Sequence, residues 1–289
     1  MDVFQAMDII KGRSVVAPTG GDIRTNPSLP RGGVQMTPQK AEVEEWAPDL
    51  PVWTLGADGV DECLPNGALT ISALHEISPM RPLDAPAAMG FIVALLVRLQ
   101  RGLRRSGRKH ILWCSRGFET REFGALYGPG LQQLGLDPSL LRIVRVERDD
   151  DVLWAMEEGL GCSGLAGVVG EVADASLTAT RRLLLAAGKS GVPGILLRSS
   201  GPMAPSAAYS RWRVGMAPSL SPHSDDLRAE TDNRAFFPSW QVELARQRFG
   251  SQRLDGLGGQ QMKWNMVWNY EKNCFHMAET LAAQQCAVA

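Results

Sequence analysis

The chain has 289 residues, 30 basic and 31 acidic, for a net charge of −1. That length can bury one sizeable core with chain left over for arms, and the charge balance excludes a whole-molecule field that would draw it to nucleic acid. Five scattered cysteines without a C-x-x-C pair, and four histidines without ligand spacing, exclude a disulfide framework and a zinc site. Of the basic residues six are lysine and 24 arginine, a bias that suits interfaces and equally reflects a GC-rich genome.

The opening MDVFQAMDIIKGR lacks the basic-then-apolar order of a signal peptide. Its VFQAMDII stretch suits a short amphipathic helix, and residues 14–50 have the composition of a linker, so 1–50 is expected to be an arm. The longest mainly apolar stretch, 85–97, is thirteen residues, short of the roughly 20 that cross a bilayer. The expectation is a soluble cytoplasmic protein with no membrane contact.

From residue 52 strands and helices alternate. ALTISALHEI (68–77) predicts a strand, and Asp84 is expected to cap a helix with Pro86 in its first turn and apolar residues at helical spacing from Met89 to Leu99. KHILWCS (109–115) predicts a buried strand. GPGLQQLGLDPSLLRIVRV predicts a short helix, a stop and a strand ending near Val146. DDDVLWAMEEGL (149–160) is a helix, LAGVVGEV (165–172) a strand, SLTATRRLLLAAGKSG (176–191) a helix and GILLRSS (194–200) a strand. This alternation predicts an α/β fold with a mostly parallel, helix-covered sheet over 51–205. SRWRVGMAP, SWQVELARQRF and MKWNMVWNYEKNCFHM predict an antiparallel β extension over 206–275, followed by a tail, 276–289.

The ordered set LPNGAL…ALHEI, ILWC, GLDPSLLRIVRV, LWAMEEGL and AGVVGEV is similar to the ImuA family, RecA-like bacterial proteins associated with damage-induced mutagenesis. The likeness covers roughly residues 52–250. It implies a RecA-like core, with the stretch after Glu76-Ile77 standing where a phosphate loop would be.

A phosphate loop converges backbone N–H groups on the anion at a helix N-terminus, with a lysine for the outer phosphates and a hydroxyl for magnesium. An ungapped alignment with RecA puts Pro79 at the first glycine, Ala85 at the lysine and Pro86 at the Ser/Thr. Arg81 is the one basic residue of the loop. Pro79, Pro82 and Pro86 have no N–H to donate, and Asp84 brings an anion of its own. Gly188-Lys189-Ser190 lacks the upstream glycine, Leu183 standing in its place, and suits a helix end. Glu171, ending its strand, stands near the acidic position of a magnesium shell, or is a plain sheet-edge carboxylate. Where RecA ATPases hold a catalytic glutamate the chain has Ser115 and Arg116, with Glu119 beyond the strand end.

Arg98, Arg101 and Arg105 share one helical face, as a DNA or partner patch or a solvated helix end. Arg211, Trp212 and Arg213 alternate on a strand, and Arg246 and Arg248 form a second basic cluster with Phe249. These are candidate DNA or partner contacts. Trp264, Met266 and Trp268 share a strand face and suit a core equally well.

The resemblance implies a non-catalytic adaptor of a damage-inducible mutagenic translesion complex, without ATP, magnesium or another cofactor. Its implied partners are an ImuB-like Y-family polymerase homologue and an error-prone replicative-type DNA polymerase. RecA and DNA are further contacts open to it, and damage would gather it on the nucleoid. Two alternatives stand beside this: a SulA-like division inhibitor, and a residual nucleotide-dependent DNA-binding ATPase.

Overall fold

The computed structural model describes residues 53–104, 106–117, 124–199, 204–219, 237–247 and 262–278. The expected arm, 1–50, lies outside them, as does the expected tail beyond its first three residues.

Among the described residues nine strands form one sheet: β1 (Leu74–Pro79), β2 (Ile111–Arg116), β3 (Leu141–Val146), β4 (Gly167–Val172), β5 (Gly194–Arg198), β6 (Ser210–Met216), β7 (Ser239–Gln247), β8 (Met262–Asn269) and β9 (Cys274–Met277). Their order is β3-β2-β4-β5-β1-β6-β7-β8-β9. Every pairing from β3 to β6 is parallel, and β6-β7, β7-β8 and β8-β9 are antiparallel. The architecture is α/β with a RecA-like core, as expected. The antiparallel part begins one strand later than 206, because β6 pairs in parallel with β1.

The helices are α1 (Asp58–Asp61), α2 (Ala85–Gly102), α3 (Gly128–Leu134), α4 (Asp149–Leu160) and α5 (Leu177–Ser190). α5 starts with the Ser176 hydroxyl accepting the Ala179 N–H and stops at Gly191, whose φ of 69° suits a residue without Cβ. Gly188-Lys189-Ser190 is therefore the last turn of a helix. β1 starts later than expected. Of residues 68–73, Leu69 makes an isolated bridge to Trp53 and the chain turns before Ala73.

Two apolar layers flank the sheet. Helices α4 and α5 cover one face, with Leu112, Met156, Leu160, Val168 and Leu196 at its centre. On the other face α2 is the spine, and its layer runs from Trp53 and Leu55 to Trp240, Trp268 and Phe275. Phe91 of α2 lies 5.9 Å from Trp240 and 5.2 Å from Phe275, ring centre to ring centre, within the range of favourable aromatic pairing. One aromatic cluster thus joins α2 to the antiparallel strands. Trp264 packs half-buried against the same layer, and Met266 and Trp268 are inside it.

The run Pro82–Gly102 has 21 residues, and its most apolar 18-residue window has a mean hydropathy of 1.6, enough by length and composition to cross a bilayer and more than the apolar stretch visible in sequence. Within the protein 61% of its most apolar window is buried, so core packing accounts for the hydrophobicity.

Candidate functional site

The chain leaves β1 at Pro79, makes a single helical turn at Pro82–Asp84, and enters α2 at Ala85. Asp84 occupies the N-cap position of α2 but makes no side-chain capping bond there, contrary to the expectation from sequence. Its carboxylate turns back instead. Oδ2 accepts the Arg81 backbone N–H and Nε, both at 3.0 Å, and Oδ1 accepts Arg81 Nη2 at 3.0 Å and the Met216 N–H of β6 at 3.3 Å. These bonds to Arg81 hold Asp84 below its ordinary pKa against the burial that would raise it. The loop's one cation is thus neutralised by its own anion, and Met80 N–H donates to Val214 O at 2.8 Å. The loop lies so close to β6 that a Cβ on Gly215 would stand 2.9 Å from Met80 Sδ.

Pro82, Leu83 and Pro86 face outward, Leu83 being 76% exposed, and Met216 beside them is 51% exposed. Beside the exposed Arg81 side chain, the surface where phosphates would approach is apolar and prolyl. Ala85, at the lysine position, is buried.

Glu171 is buried in β4 and its Oε1 accepts the indole N–H of Trp113 from β2. With Ala85, Met89, Arg145 and Ser199 these two residues line a narrow cleft beside the start of α2, holding about 30 Å³. That is room for one or two waters, far below the several hundred Å³ of a small-molecule site. Ser115 is buried; Arg116 Nε lies 3.0 Å from Asp149 Oδ1. Glu119 is outside the described residues.

On the α4/α5 face the central strands carry a buried ionic cluster. Glu76 Oε1 accepts Arg211 Nε at 3.0 Å and Nη2 at 2.5 Å, and Arg198 Nη1 at 3.3 Å, while Arg198 Nη2 also reaches Asp174. Glu76, Arg198 and Arg211 are each at most 5% exposed. On the α2 face the neighbouring residues form a neutral chain. Thr70 O can only accept, so His75 Nε2 must carry the proton donated to it at 2.9 Å. His75 Nδ1 then accepts from the Ser210 hydroxyl at 2.7 Å, and Ser210 Oγ accepts Trp212 Nε1 at 2.7 Å. Burial lowers the His75 pKa to about 4.

The candidate contact residues separate accordingly. Arg211 and Trp212 are inside the protein, since β6 is covered on both faces. Arg213 is 39% exposed and lies 3.6 Å from Glu243, and Arg246 is exposed, with Nη1 3.4 Å from Ser206 O. Arg98 is an internal strut: Nε donates to Thr54 O at 2.9 Å, Nη2 to Thr54 Oγ1 at 2.7 Å and Nη1 to Asn273 O at 3.3 Å. Arg101 is exposed and donates to Lys272 O. Arg105, Arg248 and Phe249 lie outside the described residues. Sequence reasoning missed Glu76, His75 and Arg198. Charged or polar residues within otherwise apolar strands were the available signal.

No family model matches the chain. The protein named ImuA from two strains of Caulobacter vibrioides is 33% identical over 210 residues, covering 69% of this chain and 80% of the relative. The fold, the order of its motifs and this identity agree: the chain belongs to the ImuA family, whose setting is the mutagenic response to DNA damage.

Proposed function

We propose that the chain is a non-catalytic RecA-like adaptor in a damage-inducible translesion complex. It binds an ImuB-like Y-family polymerase homologue and an error-prone replicative-type polymerase, and works in the cytoplasm on damaged nucleoid DNA. The observation that carries this reading is the Arg81–Asp84 pair. A phosphate approaching α2 would meet a buried carboxylate already bonded to the loop's cation and to the Arg81 and Met216 N–H groups. Phosphate binding needs free donors at that place, and the Trp113–Glu171 bond occupies the acid nearest to a magnesium position.

Two measurements test the reading. Millimolar Mg-ATP is expected to leave the melting temperature unchanged, because a ligand stabilises only by binding the native state. A rise with nucleotide concentration would return the chain to the ATPases. Purification of the tagged protein from ultraviolet-treated cells of its own host is expected to bring down both polymerases near stoichiometry. Recovery of the division protein in their place would favour the SulA-like alternative.

A further inference from the structure

Helix α5 buries Thr180, Leu183 and Ala187 against the sheet and turns Arg182 toward α4, where it pairs with Glu157. Its side away from α4 carries Leu177, Arg181 and Leu185 at four-residue spacing, with Gly188 and Lys189 in the turn that follows. Leu177 is 45% and Leu185 67% exposed. α5 holds three basic residues, Arg181, Arg182 and Lys189, and no acid. Among the described residues, Arg182 alone of the three has an ion-pair partner. Exposed leucines set between unpaired cations suit an occupant that is both apolar and acidic.

A segment of that composition belongs to the same chain. Residues 41–52, AEVEEWAPDLPV, carry Glu42, Glu44, Glu45 and Asp49 with no basic residue, and Val43, Trp46 and Leu50 beside them. The described chain takes over at Trp53, whose carbonyl accepts the Leu69 N–H at 2.9 Å. Three residues after Leu69, Ser72 O lies 3.9 Å from where a Cβ on Gly188 would stand. The entry point is therefore beside the C-terminal end of α5. The path from Trp53 round the start of β1 to Gly188 is on the order of 20 Å, which the six residues 47–52 span when extended. They bring Trp46 to Leu185. Val43 and Trp46 are about 10 Å apart in an extended chain with three residues per turn, close to the roughly 12 Å between Leu177 and Leu185 on a helix. Glu44 and Glu45 then stand level with Arg181.

We infer that the outer side of α5 docks the chain's own acidic segment, residues 42–46, with Trp46 on Leu185, Val43 on Leu177 and the glutamates against Arg181 and Lys189. Tethering makes the contact intramolecular. A short link holds the segment at an effective concentration of about a millimolar, so even a weak contact is populated. A nucleic-acid backbone would match the cations but has nothing to place on the leucines. The inference is independent of the adaptor reading and needs neither polymerase.

The test uses the full chain with p-benzoylphenylalanine in place of Leu185, irradiated at low protein concentration and mapped by mass spectrometry. The label is expected on residues 41–50. Arg181→Glu together with Lys189→Glu is expected to lower that yield by about fivefold or more, and adding Glu44→Arg and Glu45→Arg to restore it. Circular dichroism checks that each variant folds. Should the reversed chain not fold, the wild-type yield is compared at low and high salt, and a fall at high salt is expected. A label elsewhere on the chain, or one on 41–50 that is indifferent to both charge reversal and salt, overturns the assignment. Labelling that joins two chains and rises with protein concentration overturns it in favour of a second copy. Transfer of the label to added duplex DNA, in place of 41–50, overturns it in favour of a nucleic-acid surface.

Discussion

Asp84 holds Arg81, three residues before it, through both the guanidinium and the backbone N–H, while Oδ1, which takes part in the guanidinium pair, also accepts the N–H of Met216 on β6. The loop and the end of the inner strand β6 are therefore tied through one fully buried carboxylate. Asp84→Ala is expected to destabilise the protein by about 1–3 kcal/mol, because buried donors lose their acceptor; Arg81, 68% exposed on its side chain, contributes less of this than its bond count suggests. Urea unfolding measures the difference. The sign with pH follows from the lowered pKa. The carboxylate stabilises the native state fully above its ordinary value of 3.8 and loses that effect as pH falls further through the folded value. Wild type and Asp84→Asn should therefore converge in stability in strong acid.

His75 has the opposite charge logic. Its folded pKa of about 4 lies below the ordinary 6.5, so the unfolded chain takes up a proton first. Stability should fall as pH drops from 6.5 toward 4 and this contribution should level off below that, a loss of roughly 3 kcal/mol at 1.36 kcal/mol per pKa unit. Denaturant midpoints between pH 7 and pH 4 should lose that part of their slope in His75→Gln.

Arg211 is expected to behave as a core residue. Arg211→Ala leaves Glu76 buried with a single arginine, and breaking such a pair costs about 3–5 kcal/mol. Arg213→Ala, on the same strand but 39% exposed, should cost under about 1 kcal/mol. Thermal melts of the two variants provide the comparison. Equal shifts would place Arg211 outside the core energetics.

Ending the chain after Gln247 removes β8 and β9, and with them Trp268 and Phe275 from the layer around Phe91. The expected product is insoluble or binds hydrophobic dyes, whatever its partners. Circular dichroism and 8-anilinonaphthalene-sulfonate fluorescence check this, and partner assays on such truncations would report misfolding rather than a lost contact.

The helices were the most legible part of the fold. α4 and α5 fall where the acidic triplet, Ser176 and Gly191 place them, because caps and 3.6-residue spacing act within a few residues. The phosphate-loop chemistry was legible as missing residues, yet the turning back of Asp84 depends on Met216, 132 positions away. Glu76 finds its arginines 122 and 135 residues along the chain. Likewise, strand alternation shows that Arg211 and Arg213 share a face, but the depth of each depends on which neighbouring strands and loops cover it. Arg98 had the spacing of a surface patch and became a strut because Thr54 and Asn273 fold over it.

The last strand is tied to the chain that precedes the sheet: Phe275 N–H donates to Leu55 O at 3.1 Å, and Arg98 joins Thr54 to Asn273. A nascent chain must therefore present β8 and β9 before the aromatic layer on α2 is covered. Synthesis that stalls before β8 and β9 emerge leaves Phe91 and Trp240 uncovered, and local pairing cannot substitute for strands not yet made. Translation would then act as a timer on this protein, with folded copies appearing only once these strands are free to pair and unfinished ones exposed to chaperones and proteases.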